Sequence, residues 1–279
     1  MDLSFVGKTS EFTVIYLDDL TVFSDSDESH LKHLSKVFDR CMKFGISFNP
    51  KKYLFVVKEG KLLAKIISKG VIIDPKRVSA IHTLSLPRNK KEIQTFLGKI
   101  NFLRRFIPNY AKIVKDIKNM LKKNNEVKWT VPARYDFDHI KNAISEAPTL
   151  ASPNYYSPFS IFSFSSETTL AAVILQNTKN GDNHPIAFFS KVMRDAKLRY
   201  DIIEKQAYAL IQYLKAFRTD VLHSHIIAYV PNHVVKTVLT QPDTNGRRGR
   251  WIAKILEFDL EIKTTKLVLE LWGLTQVQR

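Results

Sequence analysis

At 279 residues, with 44% hydrophobic and 11% aromatic side chains, the chain holds enough apolar material for one large domain or two ordinary ones, which excludes a disordered tail. Its formal charge of +16 suits an anionic partner and is segregated: residues 51–128 carry 20 Lys and Arg against 5 Asp and Glu, whereas residues 1–50 carry 5 against 8 and residues 129–279 carry 18 against 14. The single cysteine, Cys41, excludes an internal disulfide and a cysteine-based zinc site. No apolar run approaches the roughly 20 residues of a membrane span and the amino terminus lacks a signal-peptide pattern, so the expectation is an intracellular protein, cytoplasmic or nuclear, not secreted and without a membrane partner.

The predicted elements begin with a hairpin over residues 12–23, two β-rich runs with Asp18 and Asp19 at the tip. An arbitrary Asp-Asp pair is most often a polar turn. Here Leu17 and Leu20 bracket the acids and no glycine is present, whereas a turn chosen for shape alone favours Asn-Gly or Asp-Gly, so the carboxylates read as placed for chemistry with a divalent metal. After Asp25-Ser26-Asp27-Glu28, the apolar residues Leu31, Leu34, Val37, Phe38, Cys41 and Met42 recur at helical spacing until Gly45. His30 and His33, three apart near Asp25 and Asp27, suggest a metal site but read better as exposed residues of the first helical turns.

Asn49-Pro50-Lys51-Lys52 is a turn whose two cations can reach a phosphate; Tyr53 to Val57 returns to strand composition, and Lys61 to Ser68 pairs with Val71-Ile72-Ile73 around Gly70. Asn89-Lys90-Lys91-Glu92 has the form of a capping box and opens a helix whose buried stripe is Ile93, Phe96, Leu97, Ile100 and Leu103, closed by Pro108. A second helix over residues 111–123 buries Ile113, Val114, Ile117, Met120 and Leu121 and turns its lysines, 112, 115, 118, 122 and 123, away. Arg104 and Arg105, between Phe102 and Phe106, mix cations with rings in a way that suits a sugar-phosphate track.

Pro132, Pro148, Pro153 and Pro158 mark a junction with one short helix around Phe137, Ile140 and Ile144, and a domain boundary is expected there. Beyond it come strands at 159–164, 169–176 and 185–190 with an Asn180-Gly181 turn. A long helix over 195–218, a strand at 225–230, helices at 232–240 and 249–257 and a last strand at 258–263 complete the order, which is mixed α/β.

Five stretches occur together and in order: Tyr16-Leu17-Asp18-Asp19, Gly45-Ile46-Ser47-Phe48-Asn49-Pro50-Lys51-Lys52, Phe96-Leu97-Gly98 through Arg104-Arg105-Phe106, His184-Pro185-Ile186-Ala187, and Glu204-Lys205-Gln206-Ala207. In these the chain resembles the polymerase segment of gypsy-type long-terminal-repeat retrotransposons, the plant versions most of all. The resemblance implies an α/β chain of α+β type. Residues 1–86 would be the later half of a reverse-transcriptase palm with its β-hairpin, 87–130 a helical thumb, 131–265 a ribonuclease-H-like mixed sheet with helices acting as a connection domain, and 266–279 a divergent tail.

The implied activity is RNA-directed DNA synthesis, a nucleotidyl transfer by two metal ions, with Asp18 and Asp19 as magnesium ligands. Tyr16 would place the primer terminus, Lys51 or Lys52 would lie near the leaving pyrophosphate, and Leu63 would belong to a primer grip in which Ala64 replaces the usual glycine. Gly98, Asn101 and Arg104, with Arg105 beside them, would lie along an RNA–DNA template-primer duplex, Gly98 allowing close approach. In the family the fingers, an earlier palm strand with another aspartate and the nucleotide pocket precede this region. By itself the chain is therefore expected not to polymerise DNA, and to use deoxynucleotides only when that half is supplied. Phe164 and Asn232 stand where the family's nuclease pattern has aspartates, leaving Glu204 alone, so ribonuclease H cleavage is not expected. The competing reading is a non-catalytic nucleic-acid-binding or structural remnant.

Overall fold

The structure, a computed structural model, describes residues 12–16, 19–24, 26–47, 60–62, 65–67, 70–177, 183–241 and 246–265, with the backbone alone at 14–16, 19, 60–62, 65–67 and 219. The chain divides into two compact units, residues 1–57 and 58–279.

In the first unit, β1 (Thr13–Tyr16) and β2 (Asp19–Val22) pair antiparallel, Thr13 opposite Val22 and Tyr16 opposite Asp19. Helix α1 (Asp27–Lys43) starts at Ser26, whose hydroxyl accepts from the Ser29 amide while the Ser29 hydroxyl accepts from the Ser26 amide. It stops at Gly45, whose φ of 63° is the left-handed turn that glycine adopts without strain. Val37 and Cys41 bury against Phe12, with Leu20, Val22 and Ile46 alongside. This face is narrower than the predicted stripe, and Met42 stays 73% exposed, because the two four-residue strands give α1 little to pack on among the described residues. His30 and His33 are half-buried rather than exposed: the His33 ring stacks 4.2 Å from that of Phe12 and its Nδ1 lies 2.7 Å from the Ser24 hydroxyl. Lys51, Lys52 and the strand expected at 53–57 lie outside the described residues.

The second unit opens with three antiparallel strands, β3 (Gly60–Leu62), β4 (Lys65–Ile67) and β5 (Val71–Ile73), so Lys61 to Ser68 is two strands rather than one. Asp74 caps α2 (Pro75–His82) by accepting from the Lys76 amide. Asn89 caps α3 (Lys90–Asn101) at 2.9 Å from the Glu92 amide, but the Glu92 carboxylate accepts from the Arg88 amide, which shifts the reciprocal half of the expected box by one residue. α3 ends well before Pro108, because the chain tightens into a 3-10 turn over Arg104–Phe106 that buries Phe106 completely.

The single helix expected over 111–123 is two, α4 (Tyr110–Ile113) and α5 (Lys115–Asn119), broken where Val114 takes a ψ of 7°. Thr130 and Pro132 start α6 (Val131–Ser145), longer than the short helix expected. Its Ala133, Phe137, Ile140 and Ile144 share one core with Ile93, Phe96, Ile100, Leu103 and Ile117. The complete burial of the α3 stripe follows: helices stand on its inner side, leaving the charged side to solvent.

The remaining elements are β6 (Phe159–Ser165), β7 (Thr169–Asn177), β8 (Asn183–Val192), α7 (Ile202–Ala216), α8 (Arg218–Val221), β9 (Ile226–Val230), α9 (His233–Thr240), α10 (Gly246–Ile255) and β10 (Leu260–Thr264). β6, β7 and β8 form an antiparallel meander, and β9 and β10 add in parallel to give the order β10-β9-β6-β7-β8. The Asn180-Gly181 turn lies outside the described residues. All of β7 but its last residue is buried, as a strand covered on both faces must be. The long helix expected at 195–218 is broken: a 3-10 turn at Asp195–Arg199 gives way to an extended Tyr200, and Asp201 restarts the helix by accepting from the Glu204 amide at 2.7 Å. Buried Gln206 on α7 meets both the amide and the carbonyl of Ser165 at 2.8 Å, so its polar end is satisfied in the core.

Within this unit the helices lock onto the sheet through β8: the Ala111 amide donates to the Ser190 hydroxyl at 2.8 Å and the Ala151 amide to the Pro185 carbonyl at 2.7 Å. Among the described residues no helix is long and apolar enough to cross a membrane.

Candidate functional site

The β1–β2 ladder holds the backbone of Asp19 opposite that of Tyr16; their side chains, and Asp18, Leu63 and Ala64 altogether, lie outside what the structure describes. Two adjacent carboxylates are hard oxygen donors, the donor set a divalent cation such as magnesium takes.

The helical part of the second unit presents Lys91, Lys99, Arg104, Lys112, Lys118, Lys122 and Lys123 to solvent. Gly98 and Asn101 are exposed on the same helix as Lys91 and Lys99, and a Cβ built on Gly98 meets nothing within 4 Å. Phe102 is 55% exposed, and the Arg77 guanidinium from α2 sits 5.9 Å from its ring centre, a cation that no local stretch of sequence around Phe102 contains because it comes from another element.

The track expected at Arg104 and Arg105 is narrower than foreseen, since Phe106 is in the core and the two arginines part. Arg104 stays exposed, while Arg105 donates to Asp220 at 3.4 Å and lays its guanidinium 5.3 Å from the Phe217 ring centre. Burial pushes the Tyr110 phenol up to about 12 despite nearby Arg104, so it is neutral at physiological pH. Lys118 is an exposed residue overall, yet burial of its ammonium, helped by Arg104 and Arg194, lowers its pKa. Arg104 and Arg194 therefore lie close enough to Lys118 to repel its charge.

The third set of residues lies at the sheet. Phe164 in β6 packs beside Phe162, Ala171 and Val173, and Asn232 spends its side-chain oxygen on the Val235 amide at 3.0 Å as the cap of α9. Glu204, in the first turn of α7, accepts from Arg247 Nη1 at 3.0 Å, and the same guanidinium lies 4.2 Å from the Tyr200 ring centre. Among the described residues no three His, Cys, Asp or Glu are grouped to hold a metal. An apolar ring, a committed amide and one neutralised acid do not fit a two-metal nuclease centre.

Residues 3–101 match the family described as reverse transcriptase (RNA-dependent DNA polymerase), and residues 129–228 match the RNase H-like domain found in reverse transcriptase. The chain joins a reverse-transcriptase segment to an RNase H-like domain. Similar proteins include the retrovirus-related Pol polyprotein from transposon 297 of Drosophila melanogaster, 30% identical over 91% of this chain and 24% of that protein. The transposon Tf2-3 polyprotein of Schizosaccharomyces pombe is 27% identical over 92% of this chain and 20% of that one. The chain thus spans 24% or less of the length of these relatives.

Among solved structures, the foamy viral protease-reverse transcriptase in complex with RNA/DNA hybrid superposes with a TM-score of 0.78 at 25% identity, over 96% of this chain and 37% of that one. Its dRH form in complex with double-stranded DNA gives 0.73 at 26% identity, over 91% and 46%. Reverse transcriptases use divalent metal ions, which the acids of the reverse-transcriptase segment suit and the sheet residues of the RNase H-like domain do not. Beyond the residues that match the RNase H-like domain lies a feature missed in the sequence, the arginine-rich run Gly246-Arg247-Arg248-Gly249-Arg250; its composition was a signal, its partner across the fold was not.

Proposed function

We propose that the chain is the palm, thumb and connection part of a gypsy-type long-terminal-repeat reverse transcriptase, with residues 1–86, 87–130 and 131–265 in those roles. The thumb grips an RNA–DNA template-primer duplex, and Asp18 and Asp19 hold magnesium. The observation that carries this reading is that residues 90–123 pack an apolar side into one core while seven cations, Lys91, Lys99, Arg104, Lys112, Lys118, Lys122 and Lys123, are exposed. Similarity to a reverse transcriptase solved with an RNA/DNA hybrid supports it.

Bound magnesium supplies the charge neutralisation that phosphoryl transfer needs. The chain's own residues do the positioning: Tyr16 beside the primer terminus, Leu63 in the primer grip, Lys51 or Lys52 toward the pyrophosphate, and Arg104 on the duplex backbone with Asn101 and Gly98. The RNase H-like domain serves as a connection and does not cleave, because Glu204, the one acid left in the family's nuclease pattern, is tied to Arg247. Work of this kind belongs in the cytoplasm or nucleus.

Two substitutions test the grip. Arg104→Ala with Lys112→Ala should weaken RNA–DNA hybrid binding by about tenfold, equally for different sequences, and unchanged affinity would remove the thumb from the interface. Gly98→Ala should raise stability by about 0.5–1 kcal/mol through helix propensity and yet lower hybrid affinity several-fold, by holding the duplex off. If affinity followed stability upward, close approach at Gly98 would be refuted.

A further inference from the structure

We propose that Arg247, clamped between Glu204 and Tyr200 and extended by Arg248 and Arg250, forms a metal-independent site for nucleic-acid backbone phosphates on the RNase H-like domain. The inference rests on the reading that this chain binds a nucleic-acid duplex.

Arg247 is held on two sides. Nη1 donates to Glu204 Oε2 at 3.0 Å, and the guanidinium plane meets the Tyr200 ring at 4.2 Å. Tyr200 is itself fixed by Tyr208 and Trp251, with ring centres 5.8 and 6.0 Å away. The side chain is nevertheless 44% exposed while Glu204 is 18% exposed, so the acid lies beneath and the cation faces outward. Its hydrogen bond among the described residues uses one of five N–H donors, and a planar fork with donors to spare matches the oxygens of a phosphodiester. Arg248 and Arg250 are exposed beside it, and residues 246–251 contain three arginines and no acid. Arg199, next to Tyr200, is exposed as well.

A fixed, half-exposed guanidinium loses little side-chain freedom on binding, which sets this site apart from an ordinary solvated charge run. Glu204 in this arrangement is a positioning residue. It orients Arg247 and at the same time repels an incoming phosphate, which gives the site a signature opposite to that of a metal centre.

The test is a fluorescence-anisotropy titration of the 279-residue chain with an RNA–DNA hybrid in EDTA across a salt series, with circular dichroism melts to check folding. Glu204→Gln keeps the shape and an acceptor but removes the negative charge, and should tighten binding about threefold. Arg248→Ala with Arg250→Ala should weaken binding about tenfold and reduce the salt slope by about 2. If Glu204→Gln weakens binding in EDTA, the carboxylate does not repel the phosphate as proposed, and if binding is absent in EDTA and returns when magnesium is added, the site works through a metal; either result overturns the proposal. If the Glu204 and arginine variants bind like the parent while Arg104→Ala with Lys112→Ala still loses affinity, the thumb reading stands and this inference fails. The reverse pattern supports this site and removes the thumb, and failure to bind hybrid at all overturns both.

Discussion

Gly70→Ala should destabilise the second unit by about 2 kcal/mol in chemical or thermal denaturation, within the range for overpacking a tight site. A Cβ at Gly70 would stand 2.7 Å from Thr149 Cγ2 and 2.9 Å from the Leu150 carbonyl oxygen. The threonine methyl can rotate aside. The carbonyl cannot, because it accepts from the Val71 amide at 2.7 Å while the Val71 carbonyl accepts from the Leu150 amide at 2.9 Å. Relief of the clash must break this bridge, which ties β5 to the chain leaving α6 and seats Leu150 in the helical core. Unchanged stability would mean that the bridge opens without cost. Gly98→Ala is the internal contrast: it meets nothing, and its effect on stability has the opposite sign.

The larger effect is expected at the acidic pair. In a polymerase that joins these residues to the fingers and the earlier palm strand, Asp18→Asn or Asp19→Asn should each lower primer extension by about 10³-fold or more, equivalent to about 4 kcal/mol of barrier. The amide keeps the size of the carboxylate but gives up the charge that holds a divalent ion, so hybrid binding should persist while extension is lost. Extension that survives either substitution would show that these acids are a turn and nothing more.

Much of the fold was legible because local pattern and burial agree. The α3 residues at three- and four-residue spacing, Ile93, Phe96, Leu97 and Ile100, are all buried, and the meander of β6, β7 and β8 lies where alternating and apolar runs placed it. The breaks at Val114 and Tyr200 were not legible, since a single residue leaving the helical range does not disturb apolar spacing on either side. The acidic pair stood out by composition. Pairings across the fold did not: Arg105 finds Asp220 across 115 residues and Arg247 finds Glu204 across 43, and no local window carries either. Those two contacts change what the arginines do. One ties the 3-10 turn after α3 to the segment after α7, and the other holds the first turn of α7 against the start of α10.

Whether the segregated cations form a working nucleic-acid interface is measured most directly by RNA–DNA hybrid affinity as a function of salt. The affinity should fall linearly on a log–log plot from 50 to 200 mM salt with a slope of about −4 or steeper, as several phosphates are neutralised at once. Binding that is insensitive to salt over that range would contradict such an interface.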